Sequence, residues 1–214
     1  MKEIKLTWLG HSCFKVEEDG FAVVFDPMKD GSVPGVRPVR EKADLVLCSH
    51  GHGDHNAAEL IDVSDAKADS PFRIYPMSSY HDDAEGRKRG MNTIYMLDDG
   101  TMRIAHMGDI GCDLTDEQID RIRGCDLLMI PVGGFYTIDC RQAHDMVGQI
   151  DPKVVIPMHY RSRKFGYDQI SGREEFVELI GNDEDREIIS RRFICEELPK
   201  VRALLLMEPL KILR

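Results

Sequence analysis

The densest chemistry in the chain lies in Ser49-His50-Gly51-His52-Gly53-Asp54-His55-Asn56, where three of the eight histidines fall within six residues around an aspartate. Neutral imidazoles and a carboxylate are donors suited to zinc or a similar divalent cation. The segment follows the apolar run Asp44–Cys48, so the motif begins where a strand ends. Residues two apart in extended chain point the same way, so His50 and His52 can bind one ion together. Gly51 and Gly53 let the chain turn, which sets Asp54 and His55 towards a second position a little further on. A polar loop that merely happens to be rich in histidine is the plain alternative, and it leaves the spacing and the flanking glycines without a reason.

His-x-His-x-Asp-His after a strand resembles the signature of the metallo-β-lactamase superfamily, and the resemblance runs in order along most of the chain. Leu9-Gly10-His11-Ser12 and Phe25-Asp26-Pro27 resemble the opening of its small-hydrolase branch, which includes the L-ascorbate-6-phosphate lactonase-like proteins. Ser78-Ser79-Tyr80-His81-Asp82, His106-Met107-Gly108-Asp109 and Pro157-Met158-His159-Tyr160 are similar to the segments that supply that family's remaining metal ligands. The resemblance implies His50, His52 and His81 on one ion, Asp54, His55 and His159 on a second, and Asp109 between them. It implies an α/β fold built as a four-layer αββα sandwich. Two points read from the residues agree with it. Asp109 and His159 each closely follow a predicted strand, where sites gather, and a carboxylate has two oxygens with which to bridge two ions.

Such a centre implies hydrolysis. Two ions sharing a water lower its pKa, and the resulting hydroxide attacks a carbonyl or phosphoryl centre. Asp54 is the catalytic candidate, binding the second ion while orienting the water or accepting its proton. No Gly-x-Ser-x-Gly elbow offers a serine nucleophile instead. Zinc is the expected metal because imidazoles dominate, with manganese or iron(II) left open.

The other candidates carry weaker signals. His11 follows a strand beside small residues, and a role next to the site and a structural role are both open. His106 alternates away from Asp109 and reads as a core or supporting group, His144 as a helix-surface residue. Cys112 lies close to Asp109 but reads as a plain buried thiol. Asp26 and Asp82 are candidates to steady the ligands. Three stretches could shape the mouth: Gly86-Arg87-Lys88-Arg89-Gly90, Tyr160-Arg161-Ser162-Arg163-Lys164 and Gly133-Gly134-Phe135-Tyr136-Thr137. The two basic ones suit an anionic small molecule or are simply solvated charges.

Elements that could position these residues alternate along the chain. Ile4–Leu9, Phe14–Val16, Phe21–Phe25, Leu45–Cys48, Phe72–Tyr75, Asn92–Leu97 and Thr101–Ala105 read as strands, with turns at Glu18-Asp19-Gly20 and Asp98-Asp99-Gly100. Thr115-Asp116-Glu117-Gln118 is a capping-box pattern opening a helix to Arg123. Leu127–Val132, Val154–Met158 and Val201–Met207 read as buried strands, Asp139–Ile150 and Arg173–Ile180 as helices, and Gly31–Arg40 as a loop. The expected organisation is one domain, 1–214, of two sheets covered by helices.

Composition bounds the partners. The 214 residues carry a formal charge of -10, which disfavours broad contact with nucleic acid. No apolar run is long enough for a bilayer and no secretory leader is visible, so a cytoplasmic protein without a membrane partner is expected. The six cysteines, Cys13, Cys48, Cys112, Cys125, Cys140 and Cys195, are scattered and expected to be reduced. A small-molecule substrate is expected, a homo-oligomer is left open, and the rivals are a nuclease or phosphodiesterase acting on nucleic acid and a non-catalytic metal-binding ligand sensor.

Overall fold

A computed structural model of the chain describes residues 3–64, 69–181, 186–190, 192–195, 199 and 202–213. β1 (Ile4–Gly10), β2 (Cys13–Glu18) and β3 (Phe21–Phe25) form an antiparallel meander. Asp19 and Gly20, both at positive φ, make the two-residue turn between β2 and β3, the geometry that matches strand twist. β4 (Lys42–Ala43) pairs with β6 (Asp62–Val63) in a short ribbon, and β5 (Leu45–Leu47) lies parallel to β3. The second half begins with β7 (Arg73–Tyr80), β8 (Met91–Asp98) and β9 (Arg103–His106), followed by α1 (Asp116–Ile122), β10 (Leu127–Pro131), α2 (Cys140–Ile150), β11 (Val154–Met158) and α3 (Glu174–Ile180). β12 (Arg186–Ser190), β13 (Arg192–Cys195) and β14 (Ala203–Met207) complete two sheets, ordered β13-β1-β2-β3-β5 and β12-β14-β11-β10-β9-β8-β7.

The sheets share a hydrophobic core cluster that runs from Ile4 to Met207. Phe25 of the first sheet stacks flat on His106 of the second, with ring centroids 4.8 Å apart, and the Tyr95 hydroxyl of β8 donates to the Cys48 carbonyl beyond β5. α1 and α2 open on capping boxes, Thr115 with Gln118 and Asp139 with Gln142. α2 buries Ala143, Met146, Val147 and Ile150, the spacing of one helical face, and packs beside α1 and α3 over β10. This is the metallo-β-lactamase fold, with its described helices all in the second half. In residues 3–64 a single 3-10 turn, Ala58–Leu60, stands in their place. Among the described residues no helix is long and apolar enough to cross a membrane.

Several elements depart from the sequence reading. β7 runs on to Tyr80 through Pro76, which is tolerated because β7 is an edge strand. β9 begins at Arg103, because the Asp99 carboxylate accepts the Thr101 and Met102 N–H groups and bends the preceding residues into a turn. β12 and β13 were not anticipated. Each lies at the edge of a different sheet, and their charged residues hide the strand pattern. Val201, expected to start the last strand, and the side chain of Cys195 lie outside the described residues.

Strand direction decides where the site forms. β9, β10 and β11 are parallel, and β7 is two antiparallel steps from β9, so all four run the same way. By the same reasoning β1, β3 and β5 share a direction in the other sheet. Their carboxyl ends release His81, Asp109, Gly133 and His159 from one sheet, and His11, Asp26 and the 48–55 turn from the other. The two rims are joined where the Thr93 N–H donates to the Ser49 carbonyl at 2.9 Å. Gly108 makes the join possible. It sits at φ 57, and a Cβ there would collide with the Asn92 amide and with Ser49 Cβ.

Candidate metal centre

The seven residues expected as ligands converge. His50, His52 and His81 form one group and His11, Asp54, His55 and His159 another, with His50, His55 and Asp109 joining them; within each group the donor atoms lie within 4.8 Å of one another. The pairing of His50 with His52 comes from a turn, not from extended chain. β5 ends at Leu47, and the His55 N–H donates to the His52 carbonyl at 3.0 Å, bringing the His50 and His52 rings to 4.7 Å between centroids. Asp109 is buried at the middle. Its Oδ2 lies 3.1 Å from His55 Nε2, 3.0 Å from His159 Nε2 and 3.5 Å from His81 Nε2. Its N–H donates to the Asn92 side chain, whose amide in turn donates to Ser79 Oγ and the Met107 carbonyl.

Asp26, at the end of β3, sets the proton positions of two imidazoles. Its carboxylate accepts from the Ser49 N–H at 2.6 Å, from Ser49 Oγ at 2.7 Å and from His55 Nδ1 at 2.8 Å. With the Ser49 hydroxyl proton committed to Asp26, the 2.9 Å contact between Ser49 Oγ and His50 Nδ1 makes Nδ1 the donor. The Nε2 lone pairs of His50 and His55 are thereby left facing the centre, the arrangement metal-binding imidazoles need. Both Nε2 atoms, and Asp109 Oδ1, are buried without a hydrogen-bond partner. Buried polar atoms in that condition are costly, and a cation would satisfy all of them, so the residues present fit a metal.

Electrostatics point the same way. Burial, then the neighbouring His55, pushes His50 down to about 3, so it stays neutral and able to donate a lone pair. Burial opposes charge on Asp109, yet His159 and His55 hold its carboxyl well below the usual range. Burial likewise opposes charge on His55, yet Asp109 and Asp26 raise it well above an ordinary histidine, so without a metal a proton sits between its Nε2 and Asp109, and a cation would have to displace that proton to reach the lone pair. Among the described residues the ion-pair partners of Asp26, Asp54 and Asp109 are histidines. The centre therefore gathers three carboxylates whose ion-pair partners are histidines, a charge balance suited to a cation.

His11 belongs here too. It is fully buried, both ring nitrogens lack a hydrogen-bond partner, and its ring lies tilted against His159 at 4.0 Å between centroids. Its Nε2 is 3.5 Å from Asp54 Oδ2. Trp8 Nε1 donates to the His11 carbonyl at 2.9 Å, which pins the residue at a positive φ of 53. Tyr167, which carried no signal in the sequence, places its hydroxyl 3.1 Å from Asp54 Oδ2 and 2.8 Å from the Ser32 carbonyl. Burial, then the Asp54 charge, pushes Tyr167 up, so it keeps its one proton, shared between the Ser32 carbonyl and Asp54.

The remaining candidates fall outside the donor groups. His106 donates from Nε2 to the Ser12 carbonyl at 2.9 Å and accepts the Gly108 N–H on Nδ1, a satisfied neutral core residue. His144 sits on α2 beside Asp145. Cys112 is half-buried, and burial raises its thiol. Cys13, Cys48, Cys112, Cys125 and Cys140 are free thiols.

An open cavity of about 300 Å³ leads to the centre, lined by His52, Asp54, His81, Asp109 and His159 together with Arg89, Tyr136 and Tyr167. Of the two basic stretches only the first reaches it. Arg163 and Lys164 line a separate cavity with Phe165, Arg173 and Met207.

Comparison with known proteins accords with this geometry. A family model described as a beta-lactamase superfamily domain matches residues 5–159. A UPF0173 metal-dependent hydrolase of Carboxydothermus hydrogenoformans is 29% identical, over 74% of this chain and 85% of its own length. One from Thermoplasma acidophilum is 28% identical, over 76% of this chain and 85% of its own. A Thermotoga maritima crystal structure, assigned as a zinc-dependent hydrolase of the metallo-beta-lactamase superfamily, superposes with a TM-score of 0.75 at 28% identity, covering 95% of this chain and 98% of that one. The metallo hydrolase Igni18 of Ignicoccus hospitalis, at 21% identity and a TM-score of 0.66, shares the fold over 97% of this chain and 96% of its own.

Proposed function

Because the chain belongs to the beta-lactamase superfamily domain family, we propose that it is a metal-dependent hydrolase whose centre takes two divalent ions, zinc foremost, and cleaves a small ester, lactone or phosphodiester. The observation that carries this reading is Asp109, a buried carboxylate within 3.0 to 3.5 Å of the Nε2 atoms of His55, His81 and His159, between two clusters of donor atoms. His50, His52 and His81 would hold one ion, Asp54, His55 and His159 the other, and Asp109 would touch both. Bound there, such ions supply an activated water at neutral pH and polarise the oxygen under attack.

The chain's own residues supply orientation and exclusion of water. Asp54 lines the cavity and receives the Tyr167 hydroxyl, which fixes its carboxylate. Burial disfavours its charge, but the contact with His11 and the nearby His55 hold its carboxyl below the ordinary range. A carboxylate so acidic directs a water by accepting its hydrogen bond and does not retain the proton. Tyr136 and Tyr167 narrow the cavity, which suits a small substrate.

The reading is tested by measuring metal content by mass spectrometry on purified wild type and Asp109→Ala, followed by assays on lactones, phosphodiesters and thioesters. Close to two ions per chain in wild type, falling in the variant together with turnover, is expected. A protein that takes up no metal on reconstitution overturns the mechanism. One that binds metal but turns over no substrate class is a sensor.

A further inference from the structure

Arg89 stands apart from its basic neighbours. Arg87 pairs with Glu85 and Lys88 with Asp83, all of them exposed. No described residue pairs with the Arg89 guanidinium, which lies over the Tyr136 ring with Cζ 5.5 Å from the centroid. Arg89 and Tyr136 line the metal-site cavity and also an adjoining one of about 320 Å³, whose lining includes Lys88 and Gln142 and two carboxylates already engaged, Asp82 by backbone N–H groups and Asp83 by Lys88. The pair is therefore the partition between the metal centre and the space beyond it.

The backbone beneath Arg89 is built, not incidental. Asp82 is buried, and its carboxylate accepts the N–H groups of Ala84, Gly86, Lys88 and Arg89 at 2.7 to 3.0 Å. The His81 N–H closes the loop on the Gly90 carbonyl at 3.0 Å. The loop that presents His81 to the centre thus presents Arg89 to the same cavity. A planar guanidinium fixed on an aromatic face, half-buried and without a carboxylate partner, is a receptor for an oxyanion. In a chain of formal charge -10, an anionic substrate needs such a local receptor.

We propose that Arg89, held on Tyr136, binds a carboxylate or phosphate group that the substrate carries away from the bond being cleaved, so the preferred substrates are anionic. This rests on the hydrolase reading for what the centre does, and the test separates the two. Metal-loaded wild type, Arg89→Ala and Arg89→Lys are assayed with mono-4-nitrophenyl succinate and with neutral 4-nitrophenyl acetate. The same three proteins are titrated calorimetrically with succinate, 2-phosphoglycolate and acetate. Ala at position 89 keeps the N–H that Asp82 holds, so the loop is retained. Arg89→Ala is expected to lower kcat/KM for the charged ester about tenfold more than for the neutral one, the scale of a charge-assisted hydrogen bond, with Lys restoring part. Wild type is expected to bind succinate or phosphoglycolate about tenfold more tightly than acetate, and Arg89→Ala to lose that margin. A larger margin for succinate identifies a carboxylate, for phosphoglycolate a phosphate. An equal fall for both esters, or no margin over acetate in wild type, overturns the proposal. An Arg89-dependent margin in a protein that cleaves neither ester upholds the anion receptor and counts against the hydrolase.

Discussion

The two donor groups differ in kind. His50, His52 and His81 are all imidazoles, and His52 is exposed. The group of His11, Asp54, His55 and His159 contains a carboxylate, three of its members are buried, and Trp8, Asp26 and Tyr167 hold them from outside. A set without a carboxylate, one of whose members is open to water, loses less when its ion exchanges, even though His50 Nε2 and His81 Nδ1 are buried. A charged, dehydrated and braced set loses much, because removing the cation strands buried polar atoms. Were each group to hold an ion as proposed, the second position would be the anchor of the centre and the first its more exchangeable half.

Breaking one half at a time gives the largest expected effects. His159→Ala should empty the anchor and destabilise the neighbouring ion, whereas His52→Ala should leave about one ion in place; both should lose at least about 100-fold in turnover, the scale of removing one electrostatic contributor. Metal content by mass spectrometry reads the difference, and equal losses in the two variants would erase the distinction. Asp26→Asn comes next. It disturbs His55 directly and His50 through Ser49, and should weaken metal binding about 10–100-fold, measured by competition with a chelator, in a protein that still folds. Asp139→Ala removes the α2 cap, a residue outside both donor groups. It should cost about 1 kcal/mol in urea unfolding and leave metal content unchanged. Arg163→Gln with Lys164→Gln should have the smallest effect. These residues line another cavity, so turnover should change less than about twofold.

The sequence showed the ligand candidates of both halves better than the residues that brace them. His50, His52, Asp54 and His55 announce themselves by local spacing, and His81, Asp109 and His159 by segments similar to a known family. What braces the anchor comes from residues with no local pattern. Asp26 was a candidate to steady the ligands, but which ones was not legible, because its partners lie 23 and 29 residues away and nothing periodic links them. Tyr167 lies in a run without helix or strand and reaches Asp54 across 113 residues. His11 had both roles open, because a buried histidine looks alike in sequence whether its nitrogens are satisfied or not. The fold was legible for the same reason in reverse. Central strands such as β10 and β11 are buried on both faces and read as apolar runs, whereas the edge strands β7, β12 and β13 carry Pro76, Arg186, Glu187 and Arg192 and do not.

The loop beyond His81 has a consequence for how such a protein changes over generations. Asp82 grips it by main-chain N–H groups alone, so the grip is indifferent to what the side chains at 84, 88 and 89 are, proline excepted. Lineages can therefore rewrite these side chains, Arg89 among them, without unseating His81. Selection on substrate and selection on the reaction act on separate letters of one short stretch, so new specificities lie a single substitution away from a working centre.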